Sequence, residues 1–296
     1  MRHVLVLGGT RFFGKRLVQK LIDNGDNVTV ATRGETEVKF DGTVTRVKVN
    51  RFDRESMTSV FPDKKWDIIY DQICFSPDDA QDACDVFAGK VNRYVLTSTL
   101  SVYQFNEKAA KEEKDFNPFA YDIQSGRKED FDYSEGKRLA EAVFFQKANF
   151  PVVAPRPPIV FGLDDYTERL QYHIRKILRG DKIGIDNVEA KISFVDSEDL
   201  AQFLFWIGHQ DFVGPVNASA PDQITLGDMI ALIERKTGGR AIVKASLSKE
   251  ESSPMNFPTS YYQDVAFAKA EGYTFKPLSE WFEPLIEALV KNEKST

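Results

Sequence analysis

Tyr133-Ser-Glu-Gly-Lys137 sets a phenol and an ammonium group four residues apart. On a helix, positions i and i+4 share a face, so the two side chains point the same way. A neighbouring ammonium favours tyrosinate and makes Tyr133 a workable proton donor or acceptor. The same spacing recurs at Tyr172 and Lys176. Context separates the two pairs. Only Tyr133 follows a strand that runs into a hydroxyl cluster, Thr97-Ser98-Thr99-Leu100-Ser101-Val102-Tyr103. A hydroxyl at the carboxyl end of a parallel strand can bond a substrate carbonyl or hydroxyl and work with the tyrosine. The second pair reads as a solvated helix face.

At the other end of the chemistry stands Val4-Leu-Val-Leu-Gly-Gly-Thr-Arg-Phe-Phe-Gly14. A short apolar run ends in a glycine turn and an amphipathic helix follows at once. That is the context of a dinucleotide-binding loop, in which backbone N–H groups at the helix start hold a pyrophosphate. Gly8 and Gly14 keep the outer spacing, and Thr10, Arg11, Phe12 and Phe13 belong to the same expected cofactor site. Arg11 stands where a middle glycine is usual and brings a fixed positive charge instead. The second strand ends in Thr32-Arg33, where an NAD site usually carries an acid for the ribose 2′-hydroxyl. An arginine there can pair with a 2′-phosphate. NADP is therefore the expected cofactor, with NAD the alternative if the arginines are solvated or paired with acids such as Glu35 or Asp53. Asn50 or Asp53, after the third strand, is placed to touch the adenine edge.

The elements that must position these groups alternate. Strands are expected at Val4–Leu7, Asn27–Ala31, Thr45–Val49, Asp67–Tyr70, Arg93–Thr97 and Val152–Ala154. Helices are expected at Lys15–Asn24, stopped by Gly25, and at Tyr133–Ala148. This alternation implies right-handed crossovers and an α/β, Rossmann-type, doubly wound parallel sheet. Residues 104–132 break the rhythm. They read either as a solvated surface insertion or as a loop over the active-site mouth. After Gly162 the pattern becomes a smaller substrate-binding lobe. A helix is expected over Asp164–Gly180, a strand over Lys191–Val195, and a helix over Ser197–Gly208 that Ser197 could cap. Val216–Ala218, a helix over Thr225–Gly238 and an amphipathic Trp281–Val290 complete it. The expected division is 1–163 for the dinucleotide-binding domain and 164–296 for the smaller lobe, interleaved with the first.

Composition limits the alternatives. The chain of 296 residues is 42% hydrophobic and 28% charged, which suits a packed globular core. Mean hydropathy is −0.36, and no apolar run approaches the roughly 20 residues that span a bilayer. With the first strand starting at residue 3 or 4, no signal peptide is expected ahead of it. The two cysteines, Cys74 and Cys84, form no CxxC pair and fit a reducing cytoplasm. His3, His173 and His209 make no metal-ligand spacing, so no metal is expected. A formal net charge of −6 disfavours sequence-independent binding to nucleic acid.

Together these segments resemble the short-chain dehydrogenase/reductase superfamily, in its extended NAD-dependent epimerase/dehydratase branch. The resemblance rests on Gly8–Gly14, Thr97–Tyr103, Tyr133/Lys137 with Arg138-Leu-Ala-Glu141, and Arg156-Pro-Pro-Ile-Val-Phe-Gly162. It extends through Phe194-Val-Asp-Ser-Glu-Asp-Leu-Ala201 and Gly214-Pro-Val-Asn217, and so covers nearly the whole chain. It implies Tyr133 as catalytic acid/base, Lys137 as nicotinamide-ribose ligand, Thr99 in place of the catalytic serine or threonine, and Pro158 beside the nicotinamide. Many relatives pair through the tyrosine-bearing helix, so a homodimer is the default expectation. The Gly-Gly-Thr-Arg-Phe form is similar to an atypical subgroup that includes chloroplast stem-loop RNA-binding proteins. Leu100 and Ser101 replace the acidic pair of dehydratases, and Ile159 replaces the asparagine by which many epimerases hold a nucleotide-sugar diphosphate. Three functions stay open: an NAD(P)-dependent oxidoreductase with Tyr133 as acid/base, a nucleotide-sugar epimerase with retained NAD, and a non-catalytic NADP-sensing or RNA-binding protein.

Overall fold

The computed structural model describes residues 1–245, 248 and 251–295. Positions 246, 247, 249, 250 and 296 of the expected smaller lobe lie outside the described residues. Seven parallel strands form the main sheet: β1 (His3–Leu7), β2 (Asn27–Thr32), β3 (Thr45–Lys48), β4 (Trp66–Asp71), β5 (Val91–Leu96), β6 (Val152–Arg156) and β7 (Gly214–Asn217). Their spatial order is β7-β6-β5-β4-β1-β2-β3. Both faces are covered, so the strands read as continuous apolar runs. Alternate residues serve opposite sides. Leu5, Leu7, Ile69 and Leu96 face α2 (Arg54–Val60), α3 (Pro77–Val86) and α4 (Tyr133–Lys147). Val4, Val6, Ile68 and Val95 face α1 (Phe12–Asp23) and α6 (Ser197–Ile207).

The seventh strand is the expected 216–218 segment moved two residues forward and returned to the edge of the main sheet beside β6. With α6 packed on α1, residues 196–217 complete the sheet layer. The smaller lobe has its own core, built from α5 (Arg169–Arg179), α7 (Leu226–Thr237) and α8 (Leu278–Ser295). The expected helix from Asp164 starts only at Arg169, because residues 162–168 form a turn ending in left-handed Glu168 (φ 52°). The expected strand over 191–195 is two short ones, Lys191–Ile192 and Phe194–Asp196. Asp196 rather than Ser197 caps α6, its carboxylate accepting from Glu198 N and Asp199 N. Residues 104–132 are neither free nor disordered in conformation. Lys111 and Ala110 pair with Tyr262–Gln263, Pro118–Ala120 packs on α4, and Arg127 reaches Asp79 and Asp82 of α3 at 2.9 and 2.8 Å.

His173 ties α5 to the Ser253 segment within the smaller lobe. Its Nδ1 donates to Arg169 O at 2.7 Å, leaving Nε2 to accept from Ser253 Oγ at 2.8 Å. Burial pushes its pKa down to about 4. Between that value and about 6.5 the unfolded chain binds a proton that the folded chain refuses. Stability is therefore full above about pH 6.5 and falls by up to roughly 3 kcal/mol as pH drops toward 4. Melting temperatures from pH 7 to 4.5 should show this decline in the wild-type chain. His173→Gln should flatten it, and an unchanged slope in that variant would assign the decline to other groups.

Candidate functional site

Three strands end side by side, with Leu7, Asp71 and Leu96 in register. Of the next residues, Gln72 and Thr97 line a cleft at the carboxyl edge of the sheet, where ligands of such sheets bind, and Gly8 lines a depression beside it. The cleft measures about 950 Å³ and is lined jointly by Phe12, Phe13, Gln72, Thr97, Thr99, Tyr133, Lys137 and Pro158, with Ile159 beside them. A second depression of about 390 Å³ adjoins it, lined by Gly8, Thr10, Arg11, Thr32, Arg33, Arg51 and Phe52.

The glycine loop is built for close approach. Gly8 and Gly9 take φ of +97° and +80°, which side chains resist. A Cβ on Gly14 would displace the Gln72 carboxamide and stand 3.1 Å from Gly9 Cα, so glycine lets α1 lie close to the loop and to the end of β4. Arg11 is the N-cap of α1 but makes no side-chain cap. Its guanidinium swings away to Thr36 Oγ1 at 3.1 Å and over the Tyr166 ring at 5.9 Å. The first N–H groups of α1 thus stay open to an anion, as the helix dipole favours. Gln72 Nε2 and Thr97 Oγ1 are buried without partners on the same wall. Orphaned polar atoms of this kind, beside a glycine cradle, fit a dinucleotide.

Arg33 is paired with Glu35 at 2.8 Å, both side chains being more than half exposed. Thr32 Oγ1 accepts from Gly34 N, and Thr32 also lines a pocket of about 710 Å³ with Lys39, Arg46 and Lys48. Asn50 is exposed, and its Oδ1 accepts from Phe52 N at 3.2 Å; it lines neither cleft. Asp53 is likewise spent, capping α2 through Glu55 N and Ser56 N.

At the tyrosine end, Lys137 is 3% exposed. Its Nζ donates to Cys74 O at 2.9 Å and to Thr97 O at 2.6 Å, tying the ends of β4 and β5 together. Phe75 lies between the pair, 5.2 Å from Nζ and 6.4 Å from the Tyr133 ring. Tyr133 is 54% exposed at the start of α4, and among the described residues its hydroxyl has no hydrogen-bond partner. Thr99 Oγ1 accepts from Ser101 N at 3.2 Å and keeps its own proton to donate. Ser98 is withdrawn, its hydroxyl donating to Glu141. Tyr172 belongs elsewhere, donating to Glu251 O at 3.0 Å.

Behind Thr99 lies a buried polar network. Glu141 and Arg156, both fully buried, pair at 2.5 Å. Arg156 also donates to Tyr103 Oη, Glu113 O and Phe116 O. Tyr103 in turn donates to Asn217 Oδ1 at 2.6 Å. Burial raises the Tyr103 phenol well above its ordinary pKa, so it stays a donor. This network anchors residues 104–132 to β6 and β7, and leaves Gln104 and Phe105 on the cleft wall. Gln72 and Arg51 were invisible as site residues in the sequence. Both follow or adjoin strand ends, and that rule is the signal that could have found them.

Comparison with known proteins agrees with the fold. The family model described as NAD dependent epimerase/dehydratase family matches residues 4–218. A chloroplast stem-loop binding protein of 41 kDa b from Arabidopsis thaliana is 24% identical over 255 residues, which are 80% of this chain. The chain spans 64% of the length of that relative. Among solved structures, a UDP-glucose 4-epimerase of Thermotoga maritima with UDP-glucose has TM-score 0.76 at 18% identity, covering 99% of both chains. A Thermus thermophilus UDP-glucose 4-epimerase in complex with NAD has TM-score 0.72 at 16% identity, again over 99% of both. At such identities the structures speak for the fold. Among the described residues no helix is long and apolar enough to cross a membrane. By the family match over most of its length, with the sheet and glycine loop that go with it, the chain belongs to the NAD dependent epimerase/dehydratase family.

Proposed function

We propose that this protein is an NAD(P)-dependent oxidoreductase acting at a hydroxyl or carbonyl carbon of a small molecule, with Tyr133 as acid/base. One observation carries the reading: Tyr133, Lys137 and Thr99 line a single cleft with the aromatic start of α1. When bound, the dinucleotide supplies the hydride donor or acceptor. Tyr133 Oη gives or takes the substrate proton. Lys137, with two N–H groups held by carbonyls, keeps its third for the ribose, while its charge favours tyrosinate at Tyr133. Thr99 donates to the substrate oxygen. Gly8, Thr10, Gly14 and the open N-terminus of α1 hold the diphosphate, and Phe12, Phe13 and Pro158 enclose the nicotinamide end.

NADP(H) is the preferred cofactor in this reading. The end of β2 carries no acid at Thr32 to repel a 2′-phosphate. An exposed pair such as Arg33–Glu35 is worth only about 0–1 kcal/mol. A charge-assisted bond to phosphate is worth about 1.5–3 kcal/mol, so Arg33 can change partner. Arg33→Ala should weaken NADPH about tenfold or more and NADH far less in equilibrium titrations. Equal losses would remove the 2′-phosphate argument.

A nucleotide-sugar epimerase is the second reading, favoured by the full-length likeness to epimerase structures. It requires NAD⁺ retained through purification and interconversion of UDP-glucose and UDP-galactose with no net change in cofactor. Ile159 on the cleft wall and Thr32-Arg33 count against it. An RNA-binding role, favoured by the name of the 24%-identical relative, predicts affinity for an RNA hairpin that falls steeply with salt. A homodimer, if formed at α4, meets that helix through Pro118–Ala120, which covers it.

A further inference from the structure

A separate cavity opens at the outer edge of the main sheet, beside Pro215 of β7. It measures about 430 Å³ and shares no lining residue with the cleft that holds Tyr133. Phe116, Phe119 and Phe267 line it, and Phe119 and Phe267 are 54% and 36% exposed. Each ring is braced by another that does not line the cavity. Phe119 stands 4.9 Å from Phe145, Phe267 5.4 Å from Phe212, and Phe116 5.2 Å from Tyr121. Three aromatic side chains are thus held around one opening to solvent.

Glu113 lines the same cavity. Its Oε1 accepts from Asn217 N of β7 at 2.8 Å, and among the described residues it forms no ion pair. Glu112 beside it differs, being held by Lys108 and Lys114 at 2.7 and 2.6 Å. Arg156 favours the charged form of Glu113, but its guanidinium is spent on Glu141, Tyr103 and the carbonyls of Glu113 and Phe116. Burial pushes the Glu113 carboxyl above its ordinary pKa, and the charge of Asp264 adds to this. A desolvated carboxylate with no cation of its own therefore shares a cavity with three phenyl rings. Aromatic faces attract cations and carry no compensating positive charge. An anion would meet the carboxylate here, and a neutral apolar molecule would take water from Glu113 and return nothing. Among the described residues no three metal-ligating side chains converge, so a metal ion finds too few donors.

We propose that this cavity binds a small organic cation, whose ammonium group meets Glu113 and whose alkyl groups lie against Phe116, Phe119 and Phe267. The ligand class is an alkylated or quaternary ammonium compound, since its apolar substituents suit the rings and its charge suits the acid. The site is distinct from the reaction cleft and does not depend on how that cleft is read. Residues 104–132 contribute to both, with Phe105 on the cleft wall and Phe116 and Phe119 here.

Calorimetric titration of the full chain at fixed ionic strength tests it. The probes are choline and benzyltrimethylammonium, and the neutral control is 3,3-dimethylbutan-1-ol, which has the shape of choline without its charge. At least one cation should bind at one site per chain, about tenfold or more tighter than the alcohol. Glu113→Gln, which keeps the acceptor for Asn217 N, should weaken that cation about tenfold and leave the alcohol unchanged. Phe119→Leu keeps apolar cover over Phe145 but removes a ring, and should weaken the cation about fivefold. Should Glu113→Gln fail to fold, Phe119→Leu carries the test, because that side chain is half exposed. Cations that bind no tighter than the alcohol overturn the proposal. So does a Glu113→Gln variant that binds them like wild type, or a cation that NADPH displaces, which would place it in the cleft. A wild-type chain that sediments as a dimer which Phe119→Asp breaks would give the cavity to a second copy, and would equally overturn it.

Discussion

Tyr133→Phe turns substrate over about a thousandfold more slowly than the wild-type chain, the scale expected for loss of a general acid/base, while its affinity for NADPH is unchanged. The substitution removes one oxygen from a ring that is already 54% exposed and has no hydrogen-bond partner among the described residues. Packing against Phe75 survives, so neither the fold nor the cofactor end should register the change. Steady-state turnover and fluorescence titration of NADPH measure the two halves separately. Normal turnover in this variant removes Tyr133 from the chemistry. Equal loss of turnover and of NADPH affinity would make it a binding residue instead.

Arg156→Met lowers stability by about 3–5 kcal/mol, because it leaves Glu141 charged, buried and unpaired. For a chain of this size that is a fall in melting temperature on the order of 10 °C. The loss should not stay local. Arg156 also holds Tyr103, Glu113 and Phe116, so residues 104–132 should become open to proteolysis at lower temperature than the rest. Adding Glu141→Gln to Arg156→Met should recover part of the loss, since the stranded charge is gone. Differential scanning calorimetry with timed proteolysis tests both statements. An unchanged melting temperature would mean the pair is replaceable, and the anchoring of 104–132 would need another cause.

What the sequence could disclose follows from distance along the chain. The glycine loop is one continuous segment, and Tyr133 and Lys137 share one helix, so spacing alone aligns each. Thr99 is legible for the same reason, as it stands three residues past the end of β5 in one hydroxyl run with Ser98 beside it. Gln72 and Arg51 were not legible. They reach the clefts only because the sheet order sets β4 beside β1. Arg33 shows the limit from the other side: its type suits a 2′-phosphate, yet in the structure it pairs with Glu35 two residues away. The cap of α6 moved from Ser197 to Asp196 because both residue types cap well, and only backbone geometry chooses between them. Residues 104–132 have no helical or strand period. Their path is set by the Arg156 network and by short 3₁₀ turns, which leave little trace in hydrophobic patterning.

A dinucleotide bound at the ends of β1, β4 and β5 is required by every catalytic role assigned above. The most direct test is to denature freshly purified protein, identify any released dinucleotide by mass, and titrate the emptied, refolded or ligand-free chain with NADPH and NADH. The predicted result is one site per chain that binds NADPH more tightly than NADH. A chain that releases no dinucleotide and binds neither would contradict the account.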